Sequence, residues 1–218
     1  QSIKNINSEN YIKNWFGTND ENHPGVKEMI NRGNYIVSGK TFLFTSYRHL
    51  TKKHHEYSPK QTREIFYHNG WYNIVGFHTR NIPHAGHEYI QKKALELSNA
   101  DAILLSPVTG LKKSGDFSSE VIINCYQKLI KRGIYKPKGA LLSAFNTYSR
   151  YAGPREAVFT AICRKNFGCN NFIIGRDHTG VGGFYPADAS QKIFDRLDLG
   201  MEILTFDNAS YCTERKKI

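Results

Sequence analysis

The sequence predicts an α/β fold: a Rossmann-like parallel sheet with helices on both faces, plus a small N-terminal β appendage. Three observations carry this. Five apolar runs of strand length alternate with helix-length segments: YNIVGF (72–77), AILLS (102–106), GALLSAF (139–145), NFIIG (171–175) and MEILTF (201–206). The runs are continuously apolar rather than alternating, as strands buried on both faces must be. The intervening segments, at about 86–98, 118–132, 154–167 and 186–197, mostly open with Ser, Pro or Asp and close with Gly.

Taken in order, residues 1–56 are polar and Asn-rich, with two strand-like runs, NYIVS and TFLFT, separated by Gly39 and Lys40 as in a hairpin. This part reads as a remnant of a small β domain. The boundary after it is sharp. In SPKQTREIFYHNG, Ser58 is placed as N-cap, Pro59 at the first helical position, Gln61 three residues after the cap and Gly70 as the stop. The second domain, 57–218, then alternates strand and helix. Its first four strands run into HTRNIPHAGH, SPVTGLKKSGD, NTYSRYAGPRE and RDHTGVGG. Ligands of parallel sheets bind beyond the carboxyl ends of the strands, so these four loops are expected to converge on one site.

At 218 residues, 39% hydrophobic and 22% charged, the chain has the composition of a globular protein with one sizeable core. No apolar run approaches membrane-spanning length, and QSIKNINSEN lacks the basic-then-apolar pattern of a signal peptide, so a cytoplasmic location is expected. Cys125, Cys163, Cys169 and Cys212 form no CxxC pair, which points to reduced thiols. The formal charge of +11 implies an anionic ligand. Because Lys and Arg are scattered rather than interleaved with aromatics on one element, a nucleic-acid partner is not expected.

The residues suited to chemistry fall in those loops. His84 and His87 lie i, i+3 at the start of a helix, where free backbone N–H groups favour an anion such as a phosphate chain. Arg80 and Asn81 add a bidentate fork and an amide donor. Two blander readings stand beside this one: one histidine merely caps the helix, or His84, His87 and His178 gather a zinc ion, although no HExxH is present. In GRDHTGVGG (175–183), Arg176, Asp177 and His178 precede glycines that permit close backbone approach; Asp177 is expected to orient His178 or pair with an arginine. In SRYAGPREA (149–157), Arg150 lies in the loop, and Arg155 and Glu156 lie in the first turn of a helix opened by Pro154. Arg155 opposes the helix dipole there and is expected to bind a carboxylate or phosphate. There is no Walker motif, no nucleophile paired with a base and no pair of carboxylates. Donors and cations arranged for anions suit catalysis by positioning and charge neutralisation, as in nucleotidyl transfer.

Read together, these segments resemble the catalytic domain of the ATP sulfurylases, which are HxGH nucleotidyltransferases. The family's QTRNPxHxxH appears as HTRNIPHAGH, its TKxGD-like segment as GLKKSGDF, and its RYAGPREA and RKNxGC as RYAGPREAVFTAICRKNFGC. GRDHAG appears as GRDHTGVG, the DAQ-type helix start as ADASQKIFD, and the terminal YC as SYC. The resemblance implies AMP transfer from ATP to sulfate by direct attack on the α-phosphorus, giving adenylyl sulfate and pyrophosphate, with Mg2+ carried by the nucleotide. It implies that His84 and His87 hold the phosphates beside Asn81, that Arg80 contacts sulfate, and that Arg176 neutralises phosphate charge. Phe77, Gly175, Asp177 and His178 fall in the nucleotide-binding segments, and Arg150 and Arg155 in a supporting one.

The chain departs from the pattern at the acceptor end. His78 replaces the glutamine of QTRN, Thr179 the alanine of GRDHAG and Ser149 the methionine before RYAGPRE, and the proline of NPxH is shifted by one place. A histidine can be charged, and a threonine adds a donor and bulk. Transfer from ATP or CTP to another oxyanion, such as a phosphate or phosphonate, and a non-catalytic nucleotide-binding module are the alternatives. The chain is also short for the family, which leaves open a longer or fused parent, a minimal form and a homo-oligomer.

Overall fold

The structure is a computed structural model that describes residues 1–42, 55–111, 115–207, 209, 213 and 214. Residues 43–45 of TFLFT, 112–114 of GLKKSGD, and the Tyr and Cys of SYC lie outside the described residues.

The chain runs β1 (Ser2–Asn5), α1 (Ser8–Phe16), α2 (Pro24–Asn31), β2 (Tyr35–Ser38), α3 (Pro59–His68), β3 (Ile74–Thr79) and α4 (Ala85–Leu97). It continues with β4 (Ala102–Pro107), α5 (Ser119–Lys131), β5 (Gly139–Leu142), α6 (Pro154–Asn166), β6 (Asn171–Ile174), α7 (Ala189–Lys192), a 3-10 turn (Ile193–Arg196) and β7 (Glu202–Thr205). The expected parallel sheet forms in the order β5-β4-β3-β6-β7. From β3 the chain builds outward on one side through β4 and β5, then returns to lay β6 and β7 on the other. The reversal lies between β3 and β6, where a crevice opens at the carboxyl ends of the strands.

Side chains on β3 alternate between two cores. Val75 and Phe77 pack with Leu95 of α4 and Ile122 and Tyr126 of α5, while Ile74 packs on the opposite face with Phe66 of α3 and Phe167. Helix α6 covers the β6 end of that second face through Ala157 and Ala161 against Phe172 and Ile174. Burial on both sides is why the strands read as continuous apolar runs, each large aliphatic contributing about 1.5–3 kcal/mol. Gly76 faces α6, and a Cβ there would lie 3.1 Å from Cys169 Sγ and 3.2 Å from Arg164 Cγ. The capping box at the boundary forms as read: Gln61 N donates to Ser58 Oγ and Ser58 N to Gln61 Oε1.

The small N-terminal β appendage is present as an antiparallel pair. β2 pairs antiparallel with β1, Ser2 opposite Ser38, and two helices stand between them. Asn7 caps α1 and His23 caps α2, with Pro24 at its first turn. Helix α1 carries Tyr11, Ile12, Trp15 and Phe16 at helical spacing, of which Ile12 and Phe16 are buried, in a short helix within an Asn-rich stretch. Those two residues pack with Val26 and with Ala152 of the RYAGPRE loop. Among the described residues no helix is long and apolar enough to cross a membrane.

Candidate active site

A cavity of about 220 Å³ occupies the crevice between β3 and β6. Three of the four loops meet there: the one after β3, the SRYAGPRE loop after β5 through Ser149 and Tyr151, and the GRDHTG loop after β6. The second loop contributes none of its described residues to this cavity. Its Val108, Leu111 and Asp116 line a neighbouring cleft of about 480 Å³ with Trp15 and Met29, and the two hollows share Arg80, Ser149 and Tyr151.

On the side facing α4, the two histidines divide their roles. His84 is the N-cap: its Nδ1 accepts the His87 backbone N–H at 3.3 Å, and its ring stacks on that of His87 with centroids 3.7 Å apart. His84 is exposed and is not among the residues that line the cavity, whereas His87 lines the wall with its ring edge on Phe77, centroids 5.3 Å apart. Burial, helped by the adjacent His84, pushes the His87 pKa down to about 4, so this imidazole is neutral at pH 7. Its buried Nδ1 has no hydrogen-bond partner of normal geometry. Asn81, Gly175 and Arg176 also line the cavity, and Arg176 is exposed.

The same cavity is lined by His78, Arg80 and Thr179. Arg80 lies over the Tyr151 ring, 5.2 Å from its centroid. The Thr179 hydroxyl is turned away from the ligand role that its residue type suggests, since Oγ1 lies 2.8 Å from the Gly153 carbonyl oxygen, to which it donates. Among the described residues five non-glycine residues have positive φ, and three of them, Tyr151, Asp177 and Thr179, line this cavity. Such backbone costs on the order of 1–3 kcal/mol each and persists only where its surroundings hold it.

Two further expectations are corrected. Asp177 does not orient His178; its carboxylate covers Gly180, where a Cβ would come within 1.9 Å of Oδ1. His178 is held by Thr160 instead: Thr160 Oγ1 donates to Ala157 O, so it accepts from His178 Nε2–H at 3.4 Å. Burial lowers the His178 pKa to about 4. Arg155 points outward, exposed and away from the cavity, with no ion pair among the described residues. The first-turn anion is Glu156, buried, accepting the backbone N–H groups of Arg150 at 2.9 Å and Ala152 at 3.1 Å. Arg150 braces the same loop by donating to Tyr148 O and stacking on the Tyr148 ring at 4.3 Å.

Over residues 53–218 the sequence matches the ATP-sulfurylase family. The chain belongs to that family. The sulfate adenylyltransferase of a Synechococcus strain is 45% identical over 202 residues, which cover 91% of this chain and 50% of that protein. That of Pyrococcus abyssi is 42% identical over 214 residues, 97% of this chain and 55% of the relative. The chain thus spans about half the length of the curated relatives it matches. Among solved structures, the hexameric APS kinase from Thiobacillus denitrificans shares the fold at a TM-score of 0.55 and 18% identity, over 85% of this chain and 33% of that one.

Within this ATP-sulfurylase chain, reasoning from sequence passed over three residues. Glu156 was visible in RYAGPREA, but only the tertiary contacts give it the loop to hold. His23 caps α2 through Nδ1, so its Nε2 carries the proton and donates to Tyr151 O at 2.9 Å. Arg164, inside the RKN segment, is wholly buried behind His78, with Nη2 3.3 Å from His78 Nδ1. An arginine at a helix end carries no sequence signal that separates this position from an exposed one.

Proposed function

We propose that this chain is the nucleotidyl-transfer unit of a sulfate adenylyltransferase, moving AMP from MgATP to sulfate and releasing pyrophosphate. The observation that carries the reading is one cavity at the sheet's reversal lined by two unlike sets of residues. Neutral His87 of α4, with Asn81 and exposed Arg176, suits the phosphate chain, and His78 and Arg80 on the wall of the same cavity suit the acceptor. The relatives bear the name sulfate adenylyltransferase, which supports the same assignment. Helix N–H groups and arginines that surround the α-phosphoryl oxygens stabilise charge as the acceptor oxygen approaches in line. No covalent intermediate is invoked, since neither a nucleophile nor a general base is needed for sulfate.

Mg2+ is part of the nucleotide substrate, where it neutralises charge on the phosphates. Among the described residues no cluster of three or more His, Cys, Asp or Glu gathers as a metal site, and Asp177 is the one carboxylate on the cavity wall. His84 and Arg150 act indirectly, the first by capping α4 and the second by bracing the acceptor-side loop.

The test is pyrophosphate release by the 218-residue chain with ATP or CTP against sulfate, phosphate and phosphonates. ATP with sulfate should give the highest kcat/KM. His87→Ala and Arg176→Ala should each lower it about 100-fold, the usual cost of removing one donor to a developing charge, and should weaken thermal stabilisation by ATP. No release with any acceptor, but stabilisation by ATP, would instead identify a nucleotide-binding module.

A further inference from the structure

Among the described residues Arg164 is the largest fully buried side chain. Its guanidinium lies over Phe145 at 4.2 Å and Phe167 at 5.3 Å, and among the described residues no carboxylate pairs with it. Nε and Nη1 have no hydrogen-bond partner. Burial lowers its pKa to about 10, which still leaves it charged at neutral pH. An unpaired buried charge costs several kcal/mol, so a chain that keeps one needs a return for it. Among the described residues the one polar atom in hydrogen-bond contact with the group is His78 Nδ1, 3.3 Å from Nη2.

A guanidinium has donors and no acceptor, so the direction of that bond is fixed. Nη2–H donates, Nδ1 accepts, and the only ring proton of His78 stands on Nε2. We propose that Arg164 is a positioning residue that locks His78 in the Nε2–H tautomer, making His78 a neutral donor to a bare oxygen of the acceptor oxyanion. This rests on reading the His78 side of the cavity as the acceptor side. It also accounts for the histidine in place of the family's glutamine: an amide offers one acceptor and one donor, and an imidazole pinned at Nδ1 offers the same pair. The guanidinium directly behind the ring adds positive potential in a dry, low-dielectric setting, which favours a dianion.

Long-range 1H–15N correlation of the 15N-labelled full chain at pH 8 reads the tautomer, with the His78 signals assigned by their loss in His78→Gln. The wild type should show Nε2 protonated and Nδ1 bare, and sulfate added with a non-hydrolysable ATP analogue should shift Nε2. In Arg164→Met the single tautomer should give way to a mixture. The sulfate KM should then rise about tenfold, equal to about 1.4 kcal/mol or one hydrogen bond, with the ATP KM within about twofold. In a His78→Ala background, Arg164→Met should add no further rise. A wild-type ring protonated at Nδ1, an unmoved Nε2 on adding sulfate, or equal losses for ATP and sulfate in both backgrounds would overturn the proposal. Should Arg164→Met fail to fold, the wild-type tautomer and sulfate titration decide alone. Should the chain release no pyrophosphate, the assignment of catalysis falls, while the spectra still judge the Arg164–His78 lock.

Discussion

His87 and His178 show what burial does to a residue type. Both are held near pKa 4 chiefly by desolvation, and His23 is lowered by the same cause. An unfolded chain protonates these rings below pH 6.5, whereas the folded one does not until about pH 4, so their stability contribution is complete above pH 6.5 and is lost as pH falls. Buried Glu156, raised above its ordinary 4.5, runs the opposite way, its protonated form favouring the fold at low pH. The histidines dominate the window. The Tm should therefore fall by on the order of 5 °C between pH 7.5 and pH 5, and His178→Asn should flatten that slope; an unchanged profile would refute the assignment. The candidacy of these histidines was legible from their place after strands, because loops at the carboxyl edge carry ligands. Their roles were not, since whether an imidazole caps, lines or braces depends on neighbours 18 to 86 residues away, as for the Thr160–His178 and His78–Arg164 contacts.

Among the elements, the loop from β5 into α6 holds part of the cavity wall in place. It turns at Gly153, φ 49° and ψ −121°, where a Cβ would stand 2.6 Å from the Tyr185 ring. Gly153→Ala should cost about 2–4 kcal/mol from backbone strain and overlap together, and should lower pyrophosphate release more than thermal loss alone explains, because Tyr151 and Thr179 are set by the same turn. Urea unfolding beside activity at a temperature where the variant is fully folded separates the two effects. Helices α3 to α6 could be placed to within a residue or two because their caps are local: the Ser58–Gln61 box, Pro154 and the Ser118 cap each act within four residues. Helix α1 could not, because it is nine residues long in an Asn-rich stretch and its buried Ile12 and Phe16 gain their meaning from Ala152 across the structure.

For the whole molecule, His23 ties the N-terminal helices to the catalytic loop, bonding Gly25 N and Val26 N through Nδ1 and Tyr151 O through Nε2. His23→Ala removes a cap, a buried hydrogen bond and packing against Phe16 and Phe184, whose ring centroids lie 5.0 and 4.8 Å away. The expected loss is about 2–4 kcal/mol, with a lower kcat/KM for sulfate than for ATP; equal effects on both substrates would show that His23 serves the fold alone. The sequence by itself determined the parallel α/β architecture, its helix limits and the loops that bear the site. These rest on burial periodicity and on caps that act within one turn. Only the tertiary structure decided which of the described loop residues share the cavity, that β2 pairs with β1, and that Thr179 and His78 are held from behind by Gly153 and Arg164. Those outcomes depend on packing between segments far apart in the chain, where a single residue's type leaves its partner undetermined.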